Sequence, residues 1–551
     1  MPNQDDQMNR RSLLKGSLLA TAAVSTLGAG RVVAAPSTYE PAETASSSYS
    51  RPQQWDREVD VVVIGSGTGL VAALAAAKAG KRVLVLEKNT APGGNTVVSG
   101  GVFWVPNNRV MKREGLHDSR EMSLQYLNQL AQGQSSDEII DAFVDNGPDM
   151  VDFIEANTSL KFRVSKLMGE VADYHPEWKG SNVKGRSLEP VQASVSMAGG
   201  LLVTSILQAF IDAGGQLLTA APAKRLLFKE NSQGHREVTG VVAEYEGELI
   251  TIAARDGVLM ASGGFERNSE MKKHFLRGPS PYTLGAETNT GDGIHMGMAA
   301  GADLRNMNEV WGITVYKGDA QANGQLLGGI ALDAQIERRN AGCIAVNRYG
   351  ERFCNEAADY DSTWRSYHSW QNWGELGYQN LPAYHIFDQR YRENYPLAGK
   401  TVDEALPSWV IKADSLEELA EKLSIDKQGL KKTVERFNEF ATKGVDEDFT
   451  RGESLYDTYG VNDPKRTLGA LSKPPFYGAE ISPADLGTCG GLRVNGEAQV
   501  IDVFGNPIKG LYASGNCAGV GSPGSLYGGG GGTIGPAMTF AYIAGKSLAK
   551  S

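Results

Sequence analysis

Residues 59–88 read VDVVVIGSGTGLVAALAAAKAGKRVLVLEK. Residues 59–64 are an almost unbroken apolar, β-branched run, the composition of a strand buried on both faces of a parallel sheet. Gly65-Ser66-Gly67-Thr68-Gly69 then turns the chain. Residues 70–79 are alanine-rich and predict a helix that stops at Gly80, and residues 82–86 predict a second strand ending at Glu87. The stretch is therefore a βαβ unit. A dinucleotide pyrophosphate needs backbone N–H groups at a helix N-terminus and glycines that let it come close, with an acidic residue about 20 positions on to hold a ribose hydroxyl. Gly65, Gly67 and Glu87 fit, since 87 − 65 = 22. Leu70 takes the third glycine position of the G-x-G-x-x-G pattern, and Gly69 comes one residue early.

The strand-then-glycine pattern recurs far away. Residues 257–262 run into Gly263-Gly264, and residues 510–513 lead through Ser514 to Gly515-Asn516, so one nucleotide domain is expected to be built from both ends of the chain. After Glu87-Lys88 comes a glycine-dense loop, Gly93-Gly94-Asn95-Thr96 and Ser99-Gly100-Gly101, longer than an ordinary NAD site requires and suited to an isoalloxazine ring. The chain changes character over residues 320–484, where aromatics crowd into 364–373. Ser415 with Glu418 forms a capping box, and Leu430, Val434, Phe437 and Ala441 recur at helical spacing. This region is read as an inserted catalytic cap. The expected division is 57–318 and 485–551 for the nucleotide domain and 319–484 for the cap.

The chain has 551 residues, more than one hydrophobic core usually supports, and is 41% hydrophobic and 21% charged, an ordinary globular balance. Its formal charge of −10 and lack of a Lys/Arg-rich run exclude the electrostatic footprint of a nucleic-acid binder. The four cysteines show no close pair or metal spacing, and the seven histidines are scattered, so neither a disulfide scaffold nor a metal site is expected. Residues 8–35, MNRRSLLKGSLLATAAVSTLGAGRVVAA, place Arg10-Arg11 before a weakly apolar stretch and resemble a twin-arginine export signal, with 36–56 as a linker. Residues 16–30 are shorter than the roughly 20 apolar residues that span a bilayer. The expected location is the periplasm, without a stable transmembrane span.

Four further segments carry a family resemblance: SGGVFWVPNN at 99–108, GGFERN at 263–268, NTGDG at 289–293, and Gly515-Asn516. Over nearly all of residues 57–551 the sequence resembles the flavoprotein group that contains fumarate reductases and 3-ketosteroid dehydrogenases. Within that group YGGGGGTIGPAMTF at 527–540 looks like the 3-ketosteroid Δ1-dehydrogenases, whose matching tyrosine and the glycine four residues later hold the substrate's 3-oxo oxygen. The resemblance assigns those roles to Tyr527 and Gly531. A phenol and a backbone N–H are both donors and can stabilise negative charge developing on a carbonyl oxygen. Pro536 just inside the following segment marks a helix N-terminus facing the flavin, with Thr533 and Ile534 beside the cofactor. RFCNEAADY at 352–360 resembles the segment that carries the catalytic base, here Tyr360, and VADYHP at 171–176 the segment of its helper, either Tyr174 or His175.

The resemblance implies an α/β fold, a Rossmann-type FAD-binding domain assembled from both ends with an inserted α+β cap. It implies FAD held through Gly65, Ser66, Gly67, Gly69, Glu87, Lys88, Gly93, Gly94, Asn95, Thr96, Ser99, Gly100, Gly101, Gly263, Gly264, Asn289, Asp292, Gly515 and Asn516. Covalently flavinylated relatives attach the cofactor through a histidine between positions 91 and 108, and none stands there, so a non-covalent FAD is expected. The implied reaction is 1,2-desaturation of a 3-oxosteroid, with an electron acceptor, a quinone or cytochrome, at the cell envelope. The alternatives are oxidation or reduction of another cyclic ketone or enone, and a dicarboxylate reductase. The last is disfavoured because MNEVWGI at 307–313 lacks the His-Pro signature of those enzymes, while Trp311 suits an apolar ring.

Replacing Arg10 and Arg11 with lysine is expected to leave the folded, FAD-loaded protein in the cytoplasm. Fractionation of cells expressing the two forms checks this, and unchanged periplasmic recovery of the double variant would contradict the export signal.

Overall fold

The computed structural model describes residues 52–166, 172–193, 198–230, 232, 236–323, 333–458, 463–521, 523 and 526–550. The export-like stretch 1–35 and most of the linker lie outside them.

Eight strands form the main sheet, in the order Gln499–Ile501, Pro507–Ala513, Arg236–Tyr245, Glu248–Met260, Arg57–Ile64, Val83–Leu86 and Gln216–Leu218, with Ala223–Glu230 paired to Arg236–Tyr245. Arg57–Ile64 lies parallel to Val83–Leu86 on one side and to Glu248–Met260 on the other, and Pro507–Ala513 also runs parallel to Glu248–Met260. Val61, Val62 and Val63 are wholly buried, as the β-branched run requires. The helix expected at 70–79 is Gly69–Lys78, and the second strand is Val83–Leu86. The register decides where ligands can bind: Ile64 and Ala513 both pair with Met260. The turns after the three strands, 65–69, 261–264 and 514–516, therefore leave the sheet side by side at its carboxyl edge, the position of the ligand crevice in open α/β sheets. The domain is built from both ends, as expected. The last helix, Ile534–Lys550, packs over Gly69–Lys78, and Gly545 permits the contact because a Cβ there would lie 2.7 Å from the Ala72 carbonyl oxygen.

A second, six-stranded sheet centres on the long strand Phe476–Thr488, which pairs with Tyr282–Thr283, Val310–Tyr316, Ala383–Asp388 and Ile411–Ala413, while Cys343–Asn347 pairs with Ala383–Asp388. It takes in two strands that precede residue 319. The helices Leu416–Leu423 and Lys427–Lys443 cover one face, laying Leu419, Leu430, Val434 and Phe437 against Ile344, Val346 and Ile386. Ser415 caps the first of these by accepting from the Glu418 N–H at 3.1 Å. The Glu418 carboxylate in return accepts from the Asp414 N–H rather than from that of Ser415.

A buried ion cluster ties this sheet to the loop that follows Cys343–Asn347. Arg352 forks onto Glu356 at 2.9 and 2.8 Å and onto Asp446 at 3.0 and 2.8 Å, and Arg451 reaches Glu356 at 3.0 Å. Burial pushes the Glu356 carboxyl up, but Arg352 and Arg451 outweigh it and hold the group near 2. Its stabilisation is complete above the ordinary glutamate value and is lost as pH falls through that depressed value. Glu356→Gln leaves Arg451 without its buried counter-charge and Arg352 with Asp446 alone, and is expected to destabilise the fold by about 3–5 kcal/mol near neutral pH. A urea unfolding midpoint within error of the wild type's would contradict this.

Candidate active site

The three turns at the carboxyl edge, the loop 93–102 and the C-terminal glycine run line a cavity of about 520 Å³, which the second sheet closes through Trp311, Ile313 and Leu486, with Tyr360 beside them from the helix Tyr360–Ser366. Gly65, Ser66, Gly67, Glu87, Lys88, Gly93, Gly94, Asn95, Thr96, Ser99, Gly100, Gly263, Asn289, Asp292, Gly515, Asn516, Gly531, Thr533 and Ile534 all line it. Gly69, Gly101 and Gly264 do not, and their role is packing. A Cβ on Gly69 would lie 2.8 Å from Ala261 Cβ, one on Gly101 would run into the backbone at Ala198–Gly199, and one on Gly264 would meet Thr488 and Glu266.

Several of the polar residues are held in position. Glu87 accepts from the Ser66 N–H at 3.1 Å, from the Ser66 hydroxyl, and from the Asn89 N–H at 2.8 Å, so its carboxylate ties the glycine turn to the end of the second strand. Lys88 pairs with Asp292 at 2.8 Å. Asn95 and Asn289 both donate to Glu266, at 3.0 and 2.6 Å. Sequence reasoning singled out the two asparagines but not the buried glutamate that orients them. Gly65 sits at φ 105°, in the left-handed region, and a side chain there would strike the Ala261 carbonyl. The buried Ser514 hydroxyl lines the cavity and has no hydrogen-bond partner. A glycine turn that admits close backbone approach, an unmet hydroxyl and an acidic residue at the second strand end together fit a dinucleotide of the FAD type.

Three tyrosines meet at the other end. Asp359 caps the helix Tyr360–Ser366 by accepting from the Ser362 N–H at 2.9 Å, which makes Tyr360 the first helical residue. Tyr174 donates to the Tyr360 hydroxyl at 2.8 Å. It is fixed by its own N–H on the Gly528 carbonyl and by its neighbour Asp173, which accepts from Trp104 Nε1 and Arg186. Of the two expected helpers the structure puts Tyr174 on Tyr360, while the His175 ring stacks on Trp178 at 4.2 Å. Tyr360 and Tyr527 line the cavity with Gly531, and Tyr174 stands behind them. The Tyr527 ring lies 5.1 Å from Tyr360, 5.6 Å from Tyr174 and 5.3 Å from Trp311. Trp311 is in turn held by a hydrogen bond to the Asn516 amide oxygen.

Burial pushes all three phenols above their ordinary value, and for Tyr360 the neighbouring phenols Tyr174 and Tyr527 add to the effect. The next residue, Asp361, is pushed up to about 6, by burial first and against the pull of Arg365. Sequence reasoning missed Tyr456, which lines the cavity with its ring 4.8 Å from Tyr174. Only the tertiary contact distinguishes it from the chain's other tyrosines. The one arginine among the described lining residues, Arg339, is committed to Tyr456, donating to its carbonyl at 2.6 Å with the guanidinium 4.4 Å from its ring centroid.

The profile of the FAD binding domain family matches residues 60–533. A 3-oxosteroid 1-dehydrogenase of Mycobacterium tuberculosis is 37% identical, the alignment covering 90% of this chain and 98% of that one. The chain belongs to this family of FAD-dependent dehydrogenases. A 4-oxocyclohexanecarboxylate 2-dehydrogenase of Sinomonas cyclohexanicum is 33% identical over 89% of this chain and 92% of its own. The crystal structure of 3-ketosteroid Δ1-dehydrogenase from Sterolibacterium denitrificans, in complex with 1,4-androstadiene-3,17-dione, superposes with a TM-score of 0.80 at 29% identity, covering 90% of this chain and all of that one. The cofactor of the family is FAD, and the glycine turns and Ser514 are the residues that would hold it.

No histidine or cysteine is among the described residues that line the cavity. Acid precipitation is therefore expected to release the yellow chromophore into the supernatant. Colour retained on the precipitate would contradict a non-covalent cofactor.

Proposed function

We propose that the enzyme desaturates the 1,2-bond of a 3-oxosteroid. The observation that carries this reading is the pairing of Tyr360 and Tyr174 hydroxyls at 2.8 Å beside Tyr527 and Gly531 in one apolar-walled cavity. The Tyr527 hydroxyl and the Gly531 N–H hold the carbonyl oxygen and stabilise charge that develops there, which acidifies the hydrogens on carbon 2. Tyr360 removes one of them, with Tyr174 positioned to pass the proton on. FAD, when bound, supplies the two-electron acceptor for the hydride from carbon 1. Trp311, Ile313 and Leu486 give the apolar walls that a ring system requires and that would exclude water from the proton transfer.

A smaller cyclic ketone is the second reading, and the 33% identical 4-oxocyclohexanecarboxylate enzyme favours it. The phenol pair and the carbonyl donors recognise only the ketone. A dicarboxylate would need a free cationic clamp, whereas Arg339 is engaged with Tyr456. Export by the twin-arginine route, with a quinone or cytochrome as electron acceptor at the envelope, completes the proposal and rests on Arg10-Arg11 and the stretch after them. Among the described residues no helix is long and apolar enough to cross a membrane.

Anaerobic mixing with 3-oxosteroids, 4-oxocyclohexanecarboxylate and succinate while following the flavin spectrum separates the readings, and bleaching by succinate alone would overturn the steroid assignment. Tyr360→Phe is expected to keep substrate binding and slow flavin reduction by about 10²–10⁴-fold, the usual loss for a general base. Tyr527→Phe is expected to slow it by about 10²–10³-fold and also to weaken ketone binding, because that hydrogen bond exists before proton removal. Wild-type speed in Tyr360→Phe would place the base elsewhere. Since Tyr360 acts deprotonated and its phenol is raised above the ordinary value, flavin reduction is expected to climb with pH through the neutral and mildly alkaline range. Stopped-flow rates that level off below about pH 8, far under the ordinary tyrosine value, would contradict this.

A further inference from the structure

One polar group in the cavity wall has no part in carbonyl binding or proton removal. Gln335, on the short helix Asp333–Glu337, is 6% exposed and lines the cavity, and neither its Oε1 nor its Nε2 has a hydrogen-bond partner. Water can serve such an amide while the cavity is open. A ligand that fills the cavity expels that water and must replace its bonds or leave them unmet, which costs affinity.

The position of Gln335 says which part of a ligand it meets. Its neighbour Ile336 lines the cavity and is 58% exposed, so this stretch forms the mouth. One helical turn on, the Arg339 guanidinium lies over Tyr456, and the Tyr456 ring packs against Tyr174. Gln335 thus adjoins the exposed Ile336 in the chain and lies four residues before Arg339, and we infer from these neighbours that its amide faces the mouth end of the cavity rather than the phenol cluster. A steroid is rigid, and its customary oxygen functions sit at opposite ends, on carbon 3 and carbon 17. With the 3-oxo group among Tyr527, Gly531 and Tyr360, the five-membered ring points to the mouth.

We propose that Gln335 is a specificity residue that reads a second oxygen function on the five-membered ring of the substrate, its Nε2 donating to a ketone or its Oε1 accepting from a hydroxyl. The substrate class is then the 3-oxosteroids that bear oxygen at carbon 17, in preference to those with hydrogen or a hydrocarbon side chain there. A site built to hydrogen-bond a substrate group rejects the analogue that lacks it, because the buried partner is left unpaired. The inference rests on the 3-oxosteroid reading above.

The test titrates FAD-loaded wild type, Gln335→Leu and Gln335→Glu with three 1,4-dien-3-one steroids, products of the proposed reaction, carrying a ketone, a hydroxyl or only hydrogen at carbon 17. Binding is followed by the flavin spectrum. The wild type is expected to bind the two oxygenated steroids about 10-fold more tightly than the third, the scale of one hydrogen bond of about 1.4 kcal/mol. In Gln335→Leu this preference collapses toward one. Gln335→Glu, which only accepts when ionised, keeps the hydroxyl steroid and loses the ketone, and it serves as the second variant if the leucine protein fails to load FAD. A wild type that binds all three alike, or a leucine variant that keeps the preference, overturns the role of Gln335 while the desaturation reading stands. If none of the three perturbs the wild-type flavin and no 3-oxosteroid bleaches it, the substrate reading fails and this inference falls with it.

Discussion

The structure depends on one close approach of two backbones, that of Trp104 and the C-terminal glycine run. The Trp104 N–H donates to the Gly531 carbonyl at 3.0 Å, and a side chain on Gly535 would collide with the Trp104 carbonyl. Gly531 itself sits at φ 91°, against the backbone of Val102 and Phe103. Two more carbonyls of the run are tied down from the same side, Gly528 by the Tyr126 hydroxyl at 2.8 Å and Gly530 by the Ser187 hydroxyl at 2.7 Å. Five consecutive glycines in isolation would be the most mobile stretch of a chain. Here they are pinned along their length, and that pinning fixes both Tyr527 and the N-terminus of the last helix relative to the glycine turn at Gly65.

The phenol cluster depends on the same seam. Tyr174 hangs from the Gly528 carbonyl through its own N–H, so Tyr174 and Tyr527 share a support. Tyr360 arrives from the other side, on the first turn of a helix capped by Asp359, four residues after the Glu356 that Arg352 and Arg451 hold. Two independent rigid supports thus converge, and burial raises every phenol between them. A buried phenol is a scarce but strong base, and it is useful only against a carbon acid whose carbonyl is already polarised. In the proposed reaction the donors on Tyr527 and Gly531 and the base on Tyr360 therefore work as a unit.

The first strand, helix and second strand were legible in residues 59–88 because local composition alone specifies them: β-branched residues buried on both faces, an alanine-rich helix, and glycines where the backbone turns. The helix pair at 416–443 was equally plain from its apolar spacing. Harder to read was the difference between glycines that face a ligand and glycines that face protein. Gly67 and Gly69 stand two positions apart in one turn, yet the first lines the cavity and the second packs on Ala261 and Val63. Motif spacing treats them alike. Likewise the segment from Arg352 to Tyr360 reads as a single motif, but Arg352 and Glu356 are buried structural ions and only Tyr360 reaches the cavity.

The sequence by itself determined the nucleotide-binding unit, the assembly of one domain from both ends of the chain, and the tyrosines and glycine matched by resemblance, because each is carried by residues near one another in the chain. Only the tertiary structure decided that Tyr174 rather than His175 meets Tyr360, that Glu266 orients Asn95 and Asn289, and that Tyr456 and Gln335 line the cavity. Two of those relations join residues 171 and 186 positions apart, and they exist only after strand register has set Ile64, Met260 and Ala513 abreast. A side chain's type is local, whereas its partner is set by the packing of two sheets.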